Sequence, residues 1–485
     1  MTIATHHAPE PEGAALVLPL VAALASALER ENVSYCHWKS TTSLARSLTG
    51  ANDLDLLVRR EDGDRFAAVL HELAFKGAVD PPIPLPGVLD FYGHDPAAKR
   101  LLHVHAHYQL VVGDDFTKNY RIPLEAAFLE HVDRVRELPV PAAELELIML
   151  VLRLTLKHNT WDAFALRRAL IGAGEAEELL DLETRSDQER VAEYLDRYLP
   201  PVSAETFARC QATVHPGARA QDRLRAGAAL TAELRPYARR PRAADVAAKA
   251  GRRAERLVLG RLLRRAPHRR RLAAGGAVVA ALGADGAGKS TAVDALEHWL
   301  GRTFNLDRVH LGRPPRSTTT RVVWLLLLGA AAARRAARRQ ALQEDSILRS
   351  AMLVALARDR YRTARDAHRA AADGGVVLSD RWPVPELKQM DAPRIRGRNP
   401  RHARLADLEE SYYARIARPH VTLVLRVPPD VAVARRDDEP EAFVRARWAE
   451  IWDVDWDKVG AKVVDATPPA DEVASTLKSL VWASL

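Results

Sequence analysis

Along the second half of the chain, short apolar and β-branched runs alternate with longer stretches of helical composition. The first run, residues 277–282, leads into a glycine-rich loop, and later runs lie in GGVVLSDRWP, HVTLVLRVPP and KVVDATPP. Strands separated by helical crossovers are typical of a parallel sheet. The pattern therefore predicts an α/β fold, a mostly parallel sheet with helices on both faces, whose ligands bind beyond the carboxyl ends of the strands.

The first half of the chain has a different pattern, in which short apolar runs lead into helical stretches. Residues 21–31 form a predicted helix, residues 52–58 a predicted strand, and ELELIMLVLRLTLKHNTWDAFALRRALIG a later helical stretch. This mixture predicts an α+β domain with a helical tail. Between the halves, three prolines interrupt a basic stretch of helical composition. We therefore expect a first domain over residues 14–234, a basic helical linker over 235–272 and a second domain over 273–485.

Composition limits the class of protein. With 485 residues, 47% hydrophobic and 28% charged, the chain has the balance of a globular protein of two or three domains, which excludes wholesale disorder and a membrane bundle. Cys36 and Cys210 are too few for a disulfide framework or a thiolate zinc site. The first residues lack the basic region of a secretory signal, and the longest apolar run, 322–333, is shorter than a membrane span of roughly 20 residues. We expect a cytoplasmic protein.

The net charge of +8 is concentrated in the linker. Residues 235–271 hold 14 Arg or Lys and two acids, a net of +12, so the rest of the chain carries a net of −4. The basic balance therefore indicates no specific nucleic-acid partner for the folded domains. A solvated connector is the simplest interpretation of the linker. Docking on an anionic membrane surface or on nucleic acid stays open, because clustered arginine is attracted to both.

The strongest motif is the loop GADGAGKS at residues 283–290, which lies between a predicted strand and the helical pattern TAVDALEHWL. It has the form G-x-x-x-x-G-K-S in the strand–loop–helix setting that a P-loop requires. Glycines let backbone N–H groups turn toward phosphate oxygens, the lysine reaches the β and γ phosphates, and the serine hydroxyl binds Mg²⁺. The motif predicts a site for ATP and Mg²⁺. The expected ATP-binding residues are Gly283, Asp285, Gly286, Ala287, Gly288, Lys289, Ser290 and Thr291.

An acidic and a basic residue follow the second apolar run. Asp380 and Arg381 stand at its end, and a parallel sheet would place them at the same edge as the loop. We expect Asp380 to hold Mg²⁺ together with Ser290 and Arg381 to hold a phosphoryl group.

These motifs resemble the thymidylate kinase family of P-loop nucleoside monophosphate kinases. G-A-D-G-A-G-K-S-T, S-D-R-W-P and P-H-V-T-L-V-L-R-V-P-P-D-V-A-V-A-R-R carry the resemblance, which covers about residues 273–485. It implies that Asp285 contacts the sugar of the acceptor nucleotide and that Asp380 and Arg381 handle the acceptor phosphate and the metal. It also implies an arginine-bearing lid over the triphosphate. The lid residues would be Arg435 and Arg436, with Arg445 and Arg447 as further candidates.

The chain departs from that family around the acceptor. VHLGRPP stands where the family usually has Arg-Glu-Pro, the stretch that holds thymine has no clear match, and an apolar, Arg-rich insert lies between residues 315 and 359. Phosphoryl transfer from ATP is therefore expected, while thymidylate as the acceptor is not. Arg313, Arg360 and Arg362 are candidate acceptor contacts.

Two further apolar patterns are expected to be structural. The apolar run of the insert predicts a buried helix, with a membrane or partner surface as the alternative. Trp448, Trp452 and Trp456 recur every four residues, which would place them on one side of a helix in the core.

In the first half, Asp53 and Asp55 lie on the predicted strand 52–58, and alternation places both carboxylates on one face. Paired carboxylates can hold the Mg²⁺ ions of a nucleotidyl transfer. With Lys39 and Ser40 in a preceding turn, the stretch resembles the nucleotidyltransferase superfamily over about residues 21–171. The resemblance is greatest to its uncharacterised branch with W-K-S or L-K-G upstream of D-I-D-L-L-V.

That superfamily adds a third carboxylate on a neighbouring strand, where this chain has RLLHVHAHYQL. His103, His105 and His107 alternate there and would share one strand face. Histidine binds zinc and other transition metals but is a poor ligand for Mg²⁺. Three interpretations stay open: a degenerate ligand-binding domain, an active transferase with altered metal ligation, and ordinary packed histidines. Asp114 or Asp115 could supply the missing acid.

The activity that the sequence favours is Mg²⁺·ATP-dependent phosphoryl transfer by the second domain to a nucleotide-like or sugar-like small molecule. The expected catalytic residues are Lys289, Asp380, Arg381, Arg435 and Arg436, and the expected acceptor contacts are Asp285, Arg313 and Arg381. Nucleotidyl transfer by the first domain and a non-catalytic ATP-binding scaffold are the alternatives. The sequence is compatible with a dimer, and it leaves contact of the linker with an anionic membrane open.

Overall fold

The computed structural model divides the chain into two units, Met1–Pro267 and His268–Leu485, and the division falls within the basic segment 235–272. The residues that it describes are 17–79, 85, 87–136, 138–165, 170–258, 269–336, 346–388, 392–398, 400–435 and 440–485. Residues 259–268 of the expected linker therefore lie outside the described residues. Among the helices described, none combines the length and the apolar character needed to cross a bilayer.

The first unit begins with alternating helices and strands and continues as a series of helices. Its mixed part consists of α1 (Pro19–Arg30), β1 (Tyr35–His37), α2 (Leu44–Leu48), β2 (Leu54–Val58), α3 (Gly63–Glu72), β3 (Lys76–Val79), β4 (Val88–Asp95), β5 (Arg100–His107), β6 (Leu110–Val112), β7 (Tyr120–Ile122), α4 (Glu125–Glu130), β8 (Val132–Val135) and β9 (Leu138–Pro141). Its helical part consists of α5 (Ala143–His158), α6 (Trp161–Ala165), α7 (Ala173–Arg185), α8 (Gln188–Tyr198), α9 (Ala204–Thr213), α10 (Ala220–Glu233) and α11 (Arg242–Leu257).

A mixed sheet organises the first part of this unit, with its strands in the order β1-β2-β5-β4-β3. β2 and β5 are parallel, while β1, β4 and β3 are antiparallel to the strands beside which they lie. β2 is buried along its whole length, which agrees with its apolar sequence LDLLV. The predicted strand 52–58 is confirmed over residues 54–58, and it lies directly beside the strand that carries the histidines.

Two apolar clusters form the core of the first unit. One packs α1 and α3 against the sheet through residues such as Leu24, Leu28 and Phe66. The other surrounds α5, a largely apolar helix that is buried along almost its whole length. The helical tail that the sequence predicts is therefore packed around a central helix.

The basic helix α11 packs against the first unit. The Arg253 guanidinium lies 3.3 Å from Asp114 Oδ2, and Arg252 donates to the Phe116 carbonyl oxygen. Within the helix, Lys249 Nζ lies 3.0 Å from Asp245 Oδ2. Part of the positive charge of the linker is therefore engaged in contacts with this unit.

The second unit is an α/β structure. Its elements are β10 (Arg271–Leu272), β11 (Val278–Gly283), α12 (Lys289–Leu300), β12 (Leu306–Val309), α13 (Thr318–Ala336), α14 (Ile347–Ala372), β13 (Val376–Ser379), α15 (Ile395–Arg398), α16 (Ala403–Ala414), β14 (Val421–Arg426), α17 (Pro429–Ala434), α18 (Glu441–Asp453), β15 (Lys462–Asp465) and α19 (Ala470–Ser484). Five strands form an all-parallel sheet in the order β12-β13-β11-β14-β15, flanked by helices.

The parallel sheet confirms the four strands named from the sequence, which are β11, β13, β14 and β15. β11 and β13 are fully buried, as expected for central strands covered on both faces. β12 is a further strand, at one edge of the sheet. The carboxyl ends of all five strands meet at one edge, where the glycine-rich loop begins.

The insert helix α13 is not buried, so that prediction is wrong. It packs against α14, yet Val322, Leu325 and Leu326 are each at least half exposed. A helix that is apolar on nearly all sides cannot bury every face against one neighbour. Arg316 covers part of this surface, with its guanidinium carbon 5.0 Å from the ring centre of Trp324.

The three tryptophans near the end of the chain do not share one buried helix face. α18 ends at Asp453, and Trp456 lies beyond it, buried, with Nε1 donating to the Ile451 carbonyl at 2.7 Å. Trp452 is exposed, stacks on Trp448 with ring centres 4.9 Å apart and lies under the Arg426 guanidinium. The prediction of one buried helix face is wrong, because Trp452 is exposed within the helix and the helix ends before Trp456.

Candidate functional site

The glycine-rich loop leaves β11 and closes directly onto α12. Gly286 and Gly288 have φ values of +82° and +85°, in the left-handed region that glycine adopts without strain. A Cβ on Gly286 would also lie 2.5 Å from the Ala432 carbonyl oxygen, so this position has no room for a side chain. The loop is therefore shaped by its own glycines into a turn at the N-terminus of a 12-residue helix.

Lys289 is the first residue of α12 and turns back over the loop. Its Nζ donates to the carbonyl oxygens of Gly283 and Ala284, at 2.9 and 2.8 Å, and lies 3.6 Å from Asp285 Oδ1. Burial lowers the pKa of this lysine, and the nearby Arg381 lowers it further, while Asp285 opposes the shift. The ammonium is thus held beside the anion-binding end of the helix by groups that an incoming anion can replace.

Asp380 lies at the same edge as the loop, as predicted. It follows β13, and its Oδ2 accepts a hydrogen bond from Ser290 Oγ at 3.3 Å. Its Oδ1 lies 2.8 Å from His310 Nδ1, and the Arg308 guanidinium lies 3.7 Å from Oδ2. A serine hydroxyl and a carboxylate side by side form an oxygen-rich ligand pair that suits Mg²⁺.

His310 is a residue of this site that no motif in the sequence indicates. It follows β12, so its position at the carboxyl edge could have been inferred once that strand was recognised. A histidine after a short strand with polar residues carries no motif of its own.

Arg381 lies against Gly312. A Cβ on Gly312 would come within 2.5 Å of Arg381 Cδ, and the Leu311 N–H donates to the Arg381 carbonyl at 3.2 Å. Arg360 supports this turn by donating to the Leu311 carbonyl at 2.9 Å. Arg313 is exposed at the end of the turn. Arg381 therefore lies beside the turn that carries Arg313. Arg360 stabilises that turn through its hydrogen bond to the Leu311 carbonyl.

The other candidate acceptor contact, Arg362, is exposed on α14. No contact of the described residues links its side chain to the loop or to Asp380.

The candidate lid arginines take different positions. Arg435 is exposed and reaches the carbonyl oxygens of Gly286 and Ala466, at 3.5 and 3.4 Å. Arg447 donates to Asp285 in the loop. Although burial opposes it, Lys289 and Arg447 hold the pKa of Asp285 below its ordinary value.

Two members of the lid set are not placed at the loop. Arg445 pairs with Glu441 and Asp430 at the surface, 2.7 and 2.9 Å away. Arg436 lies outside the described residues.

A cleft of about 560 Å³ connects these groups. At one end are the loop, the start of α12 with Thr291, Asp380 and Arg381, and at the other are small apolar side chains from the segment after β15 and from α19. The residues of the apolar end include Ala466, Pro468, Val473 and Ala474. A cleft that is cationic and rich in N–H groups at one end and apolar at the other suits a phosphorylated molecule with a flat apolar group.

The first unit has a second cluster of chemical groups, at β2 and β5. Asp55 Oδ1 lies 3.1 Å from His105 Nδ1 and 3.4 Å from His107 Nε2, while Oδ2 accepts from Lys39 Nζ at 3.2 Å. Burial raises the pKa of Asp55, but the histidines and Lys39 outweigh it, so the pKa lies well below its ordinary value. Burial lowers the pKa of His107 to about 4.

His103 is bound between two carboxylates. Its Nδ1 lies 2.7 Å from Asp53 Oδ1, and its Nε2 lies 2.7 Å from Asp90 Oδ1. Burial opposes protonation, yet these two hydrogen bonds raise the pKa of His103, and the bond from His103 lowers the pKa of Asp53. The alternation of the three histidines on one strand face is therefore confirmed, and so is the shared face of Asp53 and Asp55.

The two acids that follow β6 do not join this cluster. Asp114 accepts from the Phe116 N–H at 2.9 Å and pairs with Arg253, while Asp115 pairs with Lys118 at 3.2 Å. Neither belongs to the group of metal-type ligands that the structure brings together in the part of the chain that it describes.

Comparison with protein-family models and with curated proteins gives no match for this chain.

Proposed function

We propose that the second unit is an ATP-dependent phosphotransferase of the thymidylate kinase-like class, acting on a nucleoside monophosphate-like or sugar-like acceptor. The observation that carries the proposal is the meeting of three groups at one edge of a parallel sheet. These are the glycine loop 283–288, the Lys289 ammonium at the N-terminus of α12, and the Ser290–Asp380 pair. A P-loop in its strand–loop–helix setting is the arrangement that binds nucleoside triphosphates.

The donor triphosphate would occupy the loop end of the cleft. Backbone N–H groups of residues 286–289 and the Lys289 ammonium would hold its phosphates, replacing the carbonyl contacts that the lysine makes now. The apolar end, formed by Ala466, Pro468 and Val473, would hold the base. Ser290 and Asp380 would hold Mg²⁺, which would offset the negative charge of the phosphates.

The acceptor would bind on the side of Asp285 and Arg381. The Arg381 guanidinium suits a phosphate of the acceptor because it can donate two parallel hydrogen bonds. Arg313 is exposed on the adjacent turn and can add a further positive charge. Asp285, which Arg447 and Lys289 keep ionised, would accept hydrogen bonds from hydroxyl groups of the acceptor.

Arg435 would stabilise the charge of the transferred group. It is exposed and lies at the loop through long contacts of 3.4 and 3.5 Å, which it can exchange for phosphate oxygens.

The decisive test is release of ADP from Mg²⁺·ATP, measured across a panel of nucleoside monophosphates and sugars. Lys289→Ala should lower turnover with the best acceptor by about 100-fold or more, because it removes a charge at the phosphates. Lys462→Ala, an exposed lysine on β15, is the matched control and should turn over like the unmodified protein. Unchanged ADP release by Lys289→Ala, with the same circular dichroism spectrum, would refute the proposal.

Nucleotidyl transfer by the first unit finds less support. It would need Asp53 and Asp55 to bind Mg²⁺ together, whereas Asp53 is bound to His103 and Asp55 to Lys39 and two histidines. The non-catalytic scaffold remains the alternative that tight ATP binding without ADP release across the panel would favour.

A further inference from the structure

The histidines of β5 face Asp55 on β2, and Asp53 just before that strand, across a parallel ladder. In the register, Asp55 lies directly opposite His105, and Leu57 lies opposite His107. Directly opposed residues point to the same face of a sheet, so the carboxylate and both imidazoles lie on one surface. Strand pairing alone therefore fixes these three side chains on a rigid element.

One of the three histidines differs from the other two in its hydrogen-bond partners. His103 has both ring nitrogens bound to carboxylates, Asp53 and Asp90. His105 and His107 instead both approach one oxygen of Asp55, and Lys39 holds the other oxygen at 3.2 Å. The lysine thus orients the carboxylate while Oδ1 faces the imidazoles.

We propose that Asp55, His105 and His107 form a binding site for a divalent transition-metal ion such as Zn²⁺. Ligand atoms 2.0–2.1 Å from a tetrahedral ion lie about 3.3 Å from one another. Asp55 Oδ1 is 3.1 and 3.4 Å from the two histidine nitrogens, and ligand atoms of all three residues lie within 4.8 Å of one another. The carboxylate oxygen is therefore already spaced from each imidazole nitrogen as a ligand of the same ion would be, and the two nitrogens are close enough to turn toward that ion.

The alternative, that His107 is an ordinary hydrogen-bonded residue of the core, explains its surroundings less well than a metal site does. Its side chain is buried, its Nδ1 has no hydrogen-bond partner among the described residues, and its Nε2 contact of 3.4 Å is long. The ring is held in place by an edge contact with Trp38, whose ring centre is 5.0 Å away. A metal ion beside Asp55 would replace the long contact at Nε2, and Nδ1 would then carry the proton of the neutral imidazole.

The ligand set also indicates which ions bind. Two imidazoles and one carboxylate suit Zn²⁺, Co²⁺ and related ions, whereas Mg²⁺ prefers oxygen ligands. Three protein ligands leave at least one coordination position for water or another small ligand. The His105 side chain is 27% exposed, which makes it the accessible side of the site.

The experiment uses the full chain, freed of metal with a chelator and kept free of nucleotide, and titrates Zn²⁺ and Co²⁺ by calorimetry and by the visible spectrum of Co²⁺. We expect one ion per chain and no competition from millimolar Mg²⁺. His105→Gln, a change at the most exposed ligand, should weaken binding by about 100-fold or more. His71→Gln, an exposed histidine on α3, should leave binding unchanged, and so should Lys289→Ala.

Absence of stoichiometric binding, or equal affinity in His105→Gln, would overturn the proposal. If His105→Gln does not fold, X-ray absorption of the zinc-loaded unmodified protein decides, because the site requires two imidazoles in the coordination shell. A shell with fewer than two would overturn it. Lys289→Ala keeps this result separate from the proposed kinase function, because that variant lacks only the ATP-binding lysine.

Discussion

Gly312 controls the position of Arg381 at the edge of the cleft. Since a Cβ at this glycine would lie 2.5 Å from Arg381 Cδ and 2.9 Å from its Nε, even an alanine must displace the arginine. The family resemblance implies that an Asp-Arg pair binds the acceptor phosphate. In this protein the position of that arginine, Arg381, requires a residue without a side chain at position 312 of the neighbouring turn.

We therefore expect Gly312→Ala to impair the reaction more than the fold. Displacing Arg381 by about 1 Å should lower kcat/KM for the acceptor by on the order of 100-fold. Steady-state kinetics with the acceptor varied, together with a thermal melt, measure the two effects. Gly329→Ala is the matched control, because a Cβ there meets nothing within 4 Å. Equal kcat/KM in the two variants would contradict this role of Gly312.

For single residues, the sequence predicted the positions that follow from a motif or from the alternation of side chains along a strand. The loop residues, Asp380 and the three histidines lie where the pattern placed them. His310 was missed because its role depends on how the strands are ordered in the sheet. Arg360 donates to the backbone carbonyls of Leu311 and Gly312, a contact that depends on packing and that the sequence does not indicate.

Among the elements, α7 depends on one carboxylate at its start. Glu175 Oε2 accepts from the Gly172 N–H at 2.9 Å, and Lys157 Nζ and His158 Nε2 lie 2.8 and 3.2 Å from its carboxylate. The hydrogen bond from His158 lowers the pKa of Glu175 most; burial opposes it, and Lys157 and the Gly172 N–H add to it. The helix N-terminus is thus tied to the end of α5.

Glu175→Gln should destabilise the first unit by about 1 kcal/mol or more at pH 7, because the charge-assisted bonds are lost. A lowered pKa in the folded state stabilises above the unfolded pKa of about 4.3, and this contribution disappears as pH falls toward the folded value. Urea unfolding should therefore show a difference from the unmodified protein that shrinks below about pH 4. Glu177→Gln, exposed on the same helix, is the control. A difference independent of pH would contradict the assignment.

Helices and strands were predicted best where the pattern of apolar residues indicates both the type of element and whether it is buried. β11, β13 and β2 are apolar runs covered on both faces, and the sequence identified each. α13 has the same apolar character, but its burial depends on how many neighbours reach it, and α14 covers only one side. The end of α18 was also missed, because a four-residue spacing of tryptophans continues past the last helical residue.

At the scale of the whole molecule, two units each with its own core should respond separately to a ligand. Mg²⁺·ATP at 100 times its Kd should stabilise the second unit by about 2.7 kcal/mol. Scanning calorimetry should show one transition moving to higher temperature and another staying in place, and Lys289→Ala should abolish the shift. Movement of both transitions by the same amount would show that the units do not unfold separately.

The cleft of the second unit draws its walls from distant parts of the chain, from Asp285 in the loop to Val473 and Ala474 on α19. During synthesis on the ribosome, the glycine-rich loop therefore emerges long before the residues of α19 that line the same cleft. Until α19 has left the exit tunnel, the cleft of the nascent polypeptide lacks these apolar side chains. Under the proposed function, tight nucleotide affinity should thus be acquired late, after the strands of the sheet have been translated.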